Sequence, residues 1–239
     1  MEVIVALDAG TSSIRAVIFD MEGTILKISS STYSPQYEEN MKVRQSTETW
    51  ERGLYTILKE SASFLNSNSY HPLCISLTSQ RASVIPVDRN GITLYPALMW
   101  QDKTTSKQCE QIVARIGIEE VYHRTGVRID SYFSAPKMMW LAQNASDAYK
   151  KCIKLLGVQD YIAYLLTGVY VTDFTQASRT LLFNISNNSW DDQIIAELDL
   201  DQSLLPDVVA PGSMIGSTTK SIESLTNFPA QIPVILAGG

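Results

Sequence analysis

Three short apolar segments separated by turn residues open the chain. They occupy residues 3–7, 16–19 and 25–28, and the turns between them contain Gly10 and Gly23. Continuous apolar runs of this length, rich in β-branched residues and bounded by turn residues, are typical of buried strands. The first thirty residues are therefore predicted to form a three-stranded meander.

Beyond residue 30, segments with apolar residues at helical spacing alternate with short continuous apolar runs. Apolar residues at helical spacing predict a helix over 48–65, and shorter apolar runs predict strands over 73–78, 83–87 and 92–95, with a tight turn at 88–91. Helices are predicted from about Thr104, around Pro136 and over 159–166, and strands over 152–156 and 232–236. This alternation indicates an α/β fold.

Composition and charge narrow the class of partner. Apolar residues make up 45% and charged residues 18% of the 239 positions, which is typical of a globular domain without a membrane-spanning segment. A net charge of -6 argues against a nucleic-acid partner, because phosphate backbones require clustered Lys and Arg. We expect a small-molecule partner and no association with membranes.

The opening residues and the cysteines indicate a compartment. The chain starts with a strand rather than with a basic segment followed by an apolar one, so no secretory signal is expected. Three cysteines lie far apart and form no C-x-x-C pair, which fits reduced thiols. The expected location is the cytoplasm. With only two distant histidines, a zinc site and a Ser-His-Asp triad are both disfavoured.

The first candidate site is the turn after the first predicted strand. Phosphate-binding residue types are concentrated there, namely Thr11, Ser12, Ser13 and Arg15. Gly10 would let the backbone approach a phosphate, and Asp8 could hold Mg²⁺ through water. No predicted helix follows, which excludes the P-loop and the dinucleotide fingerprint. A hairpin with a polar tip would use the same residue types and remains an alternative.

A second candidate site combines polar and aromatic residues from several segments. Amide, guanidinium and carboxylate groups can hydrogen-bond adjacent hydroxyls, while Trp and Tyr offer flat faces to C–H surfaces, so together they suggest a sugar or polyol site. Its candidate residues are Gln80, Arg81, Trp100, Gln101, Asp102 and Tyr132. Each has an ordinary alternative: Trp100 as a core residue, Tyr132 as the start of a helix, Arg81 as a charge on a loop.

Taken together, the motifs resemble the N-terminal domain of the FGGY carbohydrate kinases. The resemblance rests on five segments in the same order and covers essentially the whole chain, 1–239: residues 7–15, 79–81, 100–102, 125–137 and 237–239. It implies a ribonuclease H-like domain of the actin-like ATPase type, with a mixed sheet and flanking helices. It also implies that a C-terminal nucleotide-binding domain lies outside this chain.

The resemblance further implies an activity and its cofactors. The family transfers a phosphoryl group from ATP, with Mg²⁺, to a sugar hydroxyl. Asp8 matches its magnesium-associated aspartate, Ser12 and Arg15 would approach the transferred group, and Arg81, Trp100 and Tyr132 match polyol contacts. The proton acceptor is expected directly after Gly239, so the chain carries no catalytic base and is expected to be inactive alone. The full-length protein is expected to be a homodimer.

One position departs from the family pattern. Ala82 stands where glycerol kinase has a glutamate that binds substrate hydroxyls, so a larger sugar or sugar alcohol than glycerol is expected. A non-catalytic sugar-binding or regulatory module of the same fold is the main alternative function, and an actin-like ATPase of another purpose is a third.

Overall fold

The computed structural model describes all 239 residues as fifteen strands, nine α-helices and two short 3-10 helices at Glu39–Met41 and Gln202–Leu204. The strands are β1 (Glu2–Ala9), β2 (Ser13–Phe19), β3 (Ile25–Thr32), β4 (Gln36–Tyr37), β5 (Val43–Gln45), β6 (His71–Ser79), β7 (Ile85–Val87), β8 (Ala97–Leu98), β9 (Lys154–Leu156), β10 (Val171–Asp173), β11 (Phe183–Asn184), β12 (Ser189–Trp190), β13 (Asp207–Val209), β14 (Met214–Ser217) and β15 (Pro233–Leu236). The helices are α1 (Glu48–Asn68), α2 (Ser106–Arg115), α3 (Ile118–Thr125), α4 (Ser134–Asn144), α5 (Ser146–Lys151), α6 (Val158–Thr167), α7 (Phe174–Ala177), α8 (Asp192–Glu197) and α9 (Lys220–Thr226).

A mixed six-stranded sheet forms the centre of the fold. Its strand order is β14-β15-β6-β1-β2-β3. The predicted meander is confirmed, because β1, β2 and β3 pair antiparallel through tight turns. β6 and β15 join the sheet parallel to β1, which requires crossover connections through helices. Three strands therefore end at the same edge of the sheet.

Helix α1 crosses one face of this sheet. It carries a buried stripe at helical spacing that includes Trp50, Leu54, Ile57 and Leu58, and it ends where Ser69 adopts a left-handed conformation. Gly53 lets the helix approach closely, because a Cβ there would stand 2.8 Å from the side chain of Ile14 in β2. The predicted helix over 48–65 is confirmed and extends three residues further.

Two hydrophobic clusters make up the core. The larger contains 31 buried residues and lies between the sheet and helices α1, α6 and α9. The smaller contains 18 buried residues contributed mainly by α2, α3, α4, α8 and the segments between them. The fold thus consists of a sheet-based part and a helical part, and the loops that follow β6 and β8 lie between them.

The face of the sheet opposite to α1 is partly exposed to solvent. Along β1, Val3, Val5 and Leu7 are fully buried while the alternate residues Ile4 and Ala6 are not, and Ile28 of β3 is 53% exposed. An alternating pattern of this kind marks a sheet with one covered and one open face. Among the helices, none combines the length and the hydropathy that a membrane-spanning helix needs.

Most of the later elements agree with the sequence predictions, with one exception. The strands β6, β7, β9 and β15 and the helices α2, α4 and α6 lie where the patterns predicted them, within a few residues. The predicted strand over 92–95 is wrong, because only a single bridge between Val87 and Thr93 forms there. The turn before it is stabilised by Asp88, which accepts from two backbone amides, and the segment after it folds back against β7 through the bond from the amide of Leu94 to the carbonyl of Pro86.

Candidate active site

The candidate site lies where β1, β6 and β15 end together. Asp8, near the end of β1, is in register with Arg15 on β2 on one side and with Thr78 on β6 on the other. Thr78 donates its hydroxyl to the carbonyl of Gly238, just beyond β15, at 2.6 Å. Groups from four strands therefore converge at one edge, which is where parallel sheets commonly bind ligands.

The turn between β1 and β2 has the form of an anion cradle. It is closed by a bond of 2.9 Å from the amide of Gly10 to the carbonyl of Ser13, and Tyr33 donates its hydroxyl to the carbonyl of Gly10. The backbone amides of Thr11 and Ser12 donate to no other group of the protein. Two free amides beside exposed hydroxyls and Arg15 can bind a phosphate.

Asp8 and Arg15 form an ion pair at the mouth of this turn. The guanidinium Nη2 lies 3.5 Å from the carboxylate, and the two side chains are 53% and 46% exposed for Arg15 and Asp8. No group of three or more His, Cys, Asp or Glu side chains is assembled for a metal. A lone accessible carboxylate nevertheless fits Mg²⁺, which keeps most of its water and takes one or two carboxylates together with substrate phosphates.

Thr11 joins this turn to the second cluster. Its hydroxyl donates to the side-chain oxygen of Gln80 at 3.1 Å and accepts from the indole nitrogen of Trp100 at 3.0 Å. The ring of Trp100 in turn meets that of Tyr132 edge to face, with centroids 5.6 Å apart. The structure therefore brings four of the sequence-predicted residues into one contiguous group.

The last residues of the chain lie against the same cluster. Arg81 donates to the carbonyl of Gly239 at 3.2 Å, and the amide of Gly239 donates to the hydroxyl of Thr175 at 2.8 Å. Gly238 adopts a φ of +87°, which favours glycine. The backbone that leaves β15 is thereby held beside Arg81.

Gln101 and Asp102 occupy different surroundings. Gln101 is partly exposed and donates to the hydroxyl of Tyr37 at 3.3 Å. Asp102 is fully buried, pairs with the guanidinium of Arg44 and accepts from the amide of Val43 at 2.7 Å. Because its oxygens are already bonded within the protein, Asp102 is suited to fixing the turn that carries Trp100 rather than to meeting a ligand.

Three residues hold the site without having been assigned a role from the sequence, although Lys137 lies in the motif segment 125–137. Lys137 is fully buried and donates to the carbonyls of Ser131, Tyr132 and Phe133 at 2.6, 2.6 and 3.0 Å. Burial lowers the pKa of Lys137 to about 7, while three carbonyls match the three donors of an ammonium group. This bonding fixes the loop that presents Tyr132. A lysine in an otherwise apolar helix segment was the available signal.

Arg44 and Asp173 are the other two. The guanidinium of Arg44 lies over the ring of Trp140, 5.1 Å from its centroid. Asp173 caps α7 by accepting from the amides of Thr175 and Gln176, and thus orients the hydroxyl that holds Gly239. Neither residue stands in a motif, so only the three-dimensional contacts reveal them.

Comparison with known proteins assigns the family. The model of the FGGY family of carbohydrate kinases, N-terminal domain, matches residues 3–239. The chain belongs to the FGGY family of carbohydrate kinases. Its similarity to that family is therefore not confined to the short motifs but extends over nearly every element described above.

Named relatives of this FGGY chain include glycerol kinases. It is 36% identical over 222 residues to the glycerol kinase of Clostridium perfringens, covering 89% of this chain and 44% of that protein. It is 34% identical over 236 residues to the glycerol kinase of Thermococcus kodakarensis, covering 97% and 46%. The chain therefore spans about half the length of these relatives.

Solved structures agree on the fold. The xylulose kinase of Rhodospirillum rubrum superposes with a TM-score of 0.94 at 21% identity, over 99% of this chain and 48% of that one. The Plasmodium falciparum glycerol kinase with ADP gives 0.90 at 26% identity, over 98% and 48%. The actin-like ATPase fold expected for an FGGY chain is thus confirmed, including the mixed sheet with flanking helices.

Proposed function

We propose that this chain is the N-terminal, sugar-binding domain of an ATP-dependent carbohydrate kinase, which transfers the γ-phosphoryl group of ATP to a hydroxyl of a sugar or sugar alcohol. The observation that carries the proposal is the pair of bonds made by Thr11, to Gln80 and Trp100. A phosphate turn and a polyol-type cluster that share one hydroxyl are suited to a reaction between a phosphate and an alcohol.

Each group at the sheet edge has a role in this reaction. The amides of Thr11 and Ser12, the hydroxyls of Ser12 and Ser13 and the guanidinium of Arg15 would bind the oxygens of the transferred group. Mg²⁺, held through Asp8, would neutralise phosphate charge when bound. Phosphoryl transfer depends mainly on such positioning and neutralisation, so the partly exposed Asp8–Arg15 pair has the required chemistry.

The acceptor would lie between Arg81, Trp100 and Tyr132. Gln80 and Gln101 would border it. Asp102 would support the turn that carries Trp100. The family resemblance implies that the proton of the attacking hydroxyl would pass to the residue that follows Gly239, and Gly239 is held against Arg81. That residue and the nucleotide-binding domain would belong to the longer protein. This accounts for the expectation that residues 1–239 are inactive alone.

The size of the residue at position 82 bears on the substrate. Ala82 offers no side-chain group that could bind a hydroxyl, and its methyl group is smaller than a glutamate side chain. We therefore propose an acceptor with more than three carbons. The protein would act in the cytoplasm as a homodimer, and its net charge of -6 favours neither nucleic acid nor an anionic membrane as partner.

A panel of acceptors tests the proposed function. The full-length protein would be incubated with Mg-ATP and glycerol, erythritol, ribitol, D-xylulose or D-gluconate, and the release of ADP measured. Turnover stimulated by at least one acceptor is expected. If none stimulates ADP release while calorimetry shows tight binding of a sugar without nucleotide, the non-catalytic sugar-binding module would be the better description.

A further inference from the structure

A small pocket lies behind the loop that carries Arg81. Its volume is about 20 Å³. This is sufficient for one oxygen-sized group. Ala82 forms part of its wall, and both the sheet-based and the helical part of the fold contribute residues to it.

An unpaired carboxylate oxygen belongs to the wall of this pocket. The Oδ1 atom of Asp160 is buried and accepts no hydrogen bond, although Oδ2 accepts from the amide of Gly157 at 2.7 Å. Ser134 and Gln176, each at most 5% exposed, also line the pocket with a hydroxyl and an amide side chain. An unpaired buried carboxylate oxygen is costly, so Asp160 Oδ1 at this polar wall indicates a ligand.

The pocket adjoins the proposed acceptor site on two sides. Gln176 lies against Gly239, since a Cβ on that glycine would stand 3.1 Å from the Gln176 amide nitrogen. Ser83, another wall residue, accepts from the amide of Trp100 at 3.1 Å. Ser134 follows Tyr132 by two residues at the start of α4. A hydroxyl that extends past Ala82 would therefore reach this pocket.

We propose that the pocket is a hydroxyl subsite, in which Asp160, Ser134 and Gln176 bind a hydroxyl of the acceptor remote from the phosphorylated one. The inference rests on the proposed function and deepens it, because it makes these three residues determinants of acceptor length. On this proposal, glycerol would leave the pocket empty when its reacting hydroxyl lies at the phosphate turn, whereas acceptors of four or more carbons would reach it.

The chemistry of Asp160 suits this role. Burial raises the pKa of its carboxyl group to about 7. A carboxyl group that is partly protonated near neutral pH can either accept or donate a hydrogen bond. Since a sugar hydroxyl can also do both, the pair can form in either arrangement, and Gln176 and Ser134 add an acceptor and a hydroxyl at the same place.

Acceptor-dependent kinetics test the subsite in the full-length protein. The value of kcat/KM would be measured with glycerol, erythritol, ribitol and D-xylulose for the wild type, Ser134→Ala and Asp160→Asn. For the longer acceptors we expect kcat/KM to fall about fivefold in Ser134→Ala and about tenfold in Asp160→Asn, with glycerol and the KM for ATP unchanged. Ser61→Ala, buried in α1 and bonded to the carbonyl of Ile57, is the matched control.

The outcomes separate the inference from the function on which it rests. An equal loss with glycerol and with the longer acceptors, no loss with any of them, or turnover of glycerol alone would overturn the subsite and leave the kinase function standing. If no acceptor stimulated ADP release by the wild type, both the subsite and the kinase function would be overturned. Thermal unfolding of each variant shows whether it is folded. If Asp160→Asn is not folded, Ser134→Ala alone tests the subsite.

Discussion

The indole nitrogen of Trp100 donates to the hydroxyl of Thr11 at 3.0 Å across 89 residues of sequence. Trp100 follows β8, and Thr11 lies in the turn between β1 and β2, so this bond ties the helical part of the fold to the sheet. Because Tyr132 packs on Trp100, this bond also links the aromatic pair to the turn between β1 and β2.

The contribution of this bond can be measured by a double-mutant cycle. Trp100→Phe keeps the ring but removes the donor, and Thr11→Val removes the acceptor. Each substitution should lower kcat/KM for the acceptor, which corresponds to a rise of about 1–2 kcal/mol in activation free energy. The double variant should raise the activation free energy little more than either single variant. Strictly additive effects would show that the two residues act independently.

Asp8 should matter through Mg²⁺. In the full-length protein, Asp8→Asn is expected to lower kcat about 100-fold at saturating ATP and to raise the Mg²⁺ concentration needed for half-maximal rate. Glu2→Gln, at the other end of β1, is the matched control. If Asp8→Asn left the Mg²⁺ dependence unchanged, Asp8 would not be a metal residue.

Asp102 and Gln101 are neighbours for which opposite effects are expected. Asp102→Asn leaves the buried Arg44 without its counter-charge and should lower the free energy of unfolding by about 3 kcal/mol. Gln101→Ala, on a partly exposed residue, should raise the acceptor KM with little effect on stability. Urea unfolding and steady-state kinetics would distinguish the two. A stable Asp102→Asn with a raised acceptor KM would instead support direct substrate contact.

Asp160 should make stability depend on pH. Its pKa in the folded protein is raised from 3.8 to about 7, so the folded state binds more protons than the unfolded state between these values. The stability due to this group is therefore fully present below pH 3.8 and is lost as pH rises towards 7. Relative to the wild type, Asp160→Asn should gain a few kcal/mol across this interval. Parallel pH profiles of unfolding would contradict the shift.

Most helices and strands could be predicted from the sequence, because burial imposes a pattern of apolar residues within each element. Alternating strands and the helical stripe of α1 depend on neighbours within a few residues, and the register that sets Asp8 opposite Arg15 follows from one tight turn. The segment 92–95 misled because an apolar run after a turn predicts a strand only if a partner strand is available, and here a single bridge forms.

The support of the site was not visible, because it depends on contacts between distant segments. The local sequence does not distinguish Lys137 from any other lysine in a helix. Only the fold places three carbonyls around its ammonium group. Likewise Arg44 and Asp102 are 58 residues apart, and no local pattern predicts their pairing. Arg44 and Asp173 lie outside the motifs, whereas Asp102 and Lys137 lie within them but show their supporting contacts only in the fold.

The open face of the sheet has a consequence for how the chain behaves in solution. Ile4, Val17 and Ile28 present apolar surface on adjacent strands. Contiguous apolar surface of this kind binds hydrophobic dyes and favours self-association. At rising concentration, and whenever no other polypeptide covers this face, light scattering should increase, and Ile28→Lys should suppress it by adding charge on the edge strand.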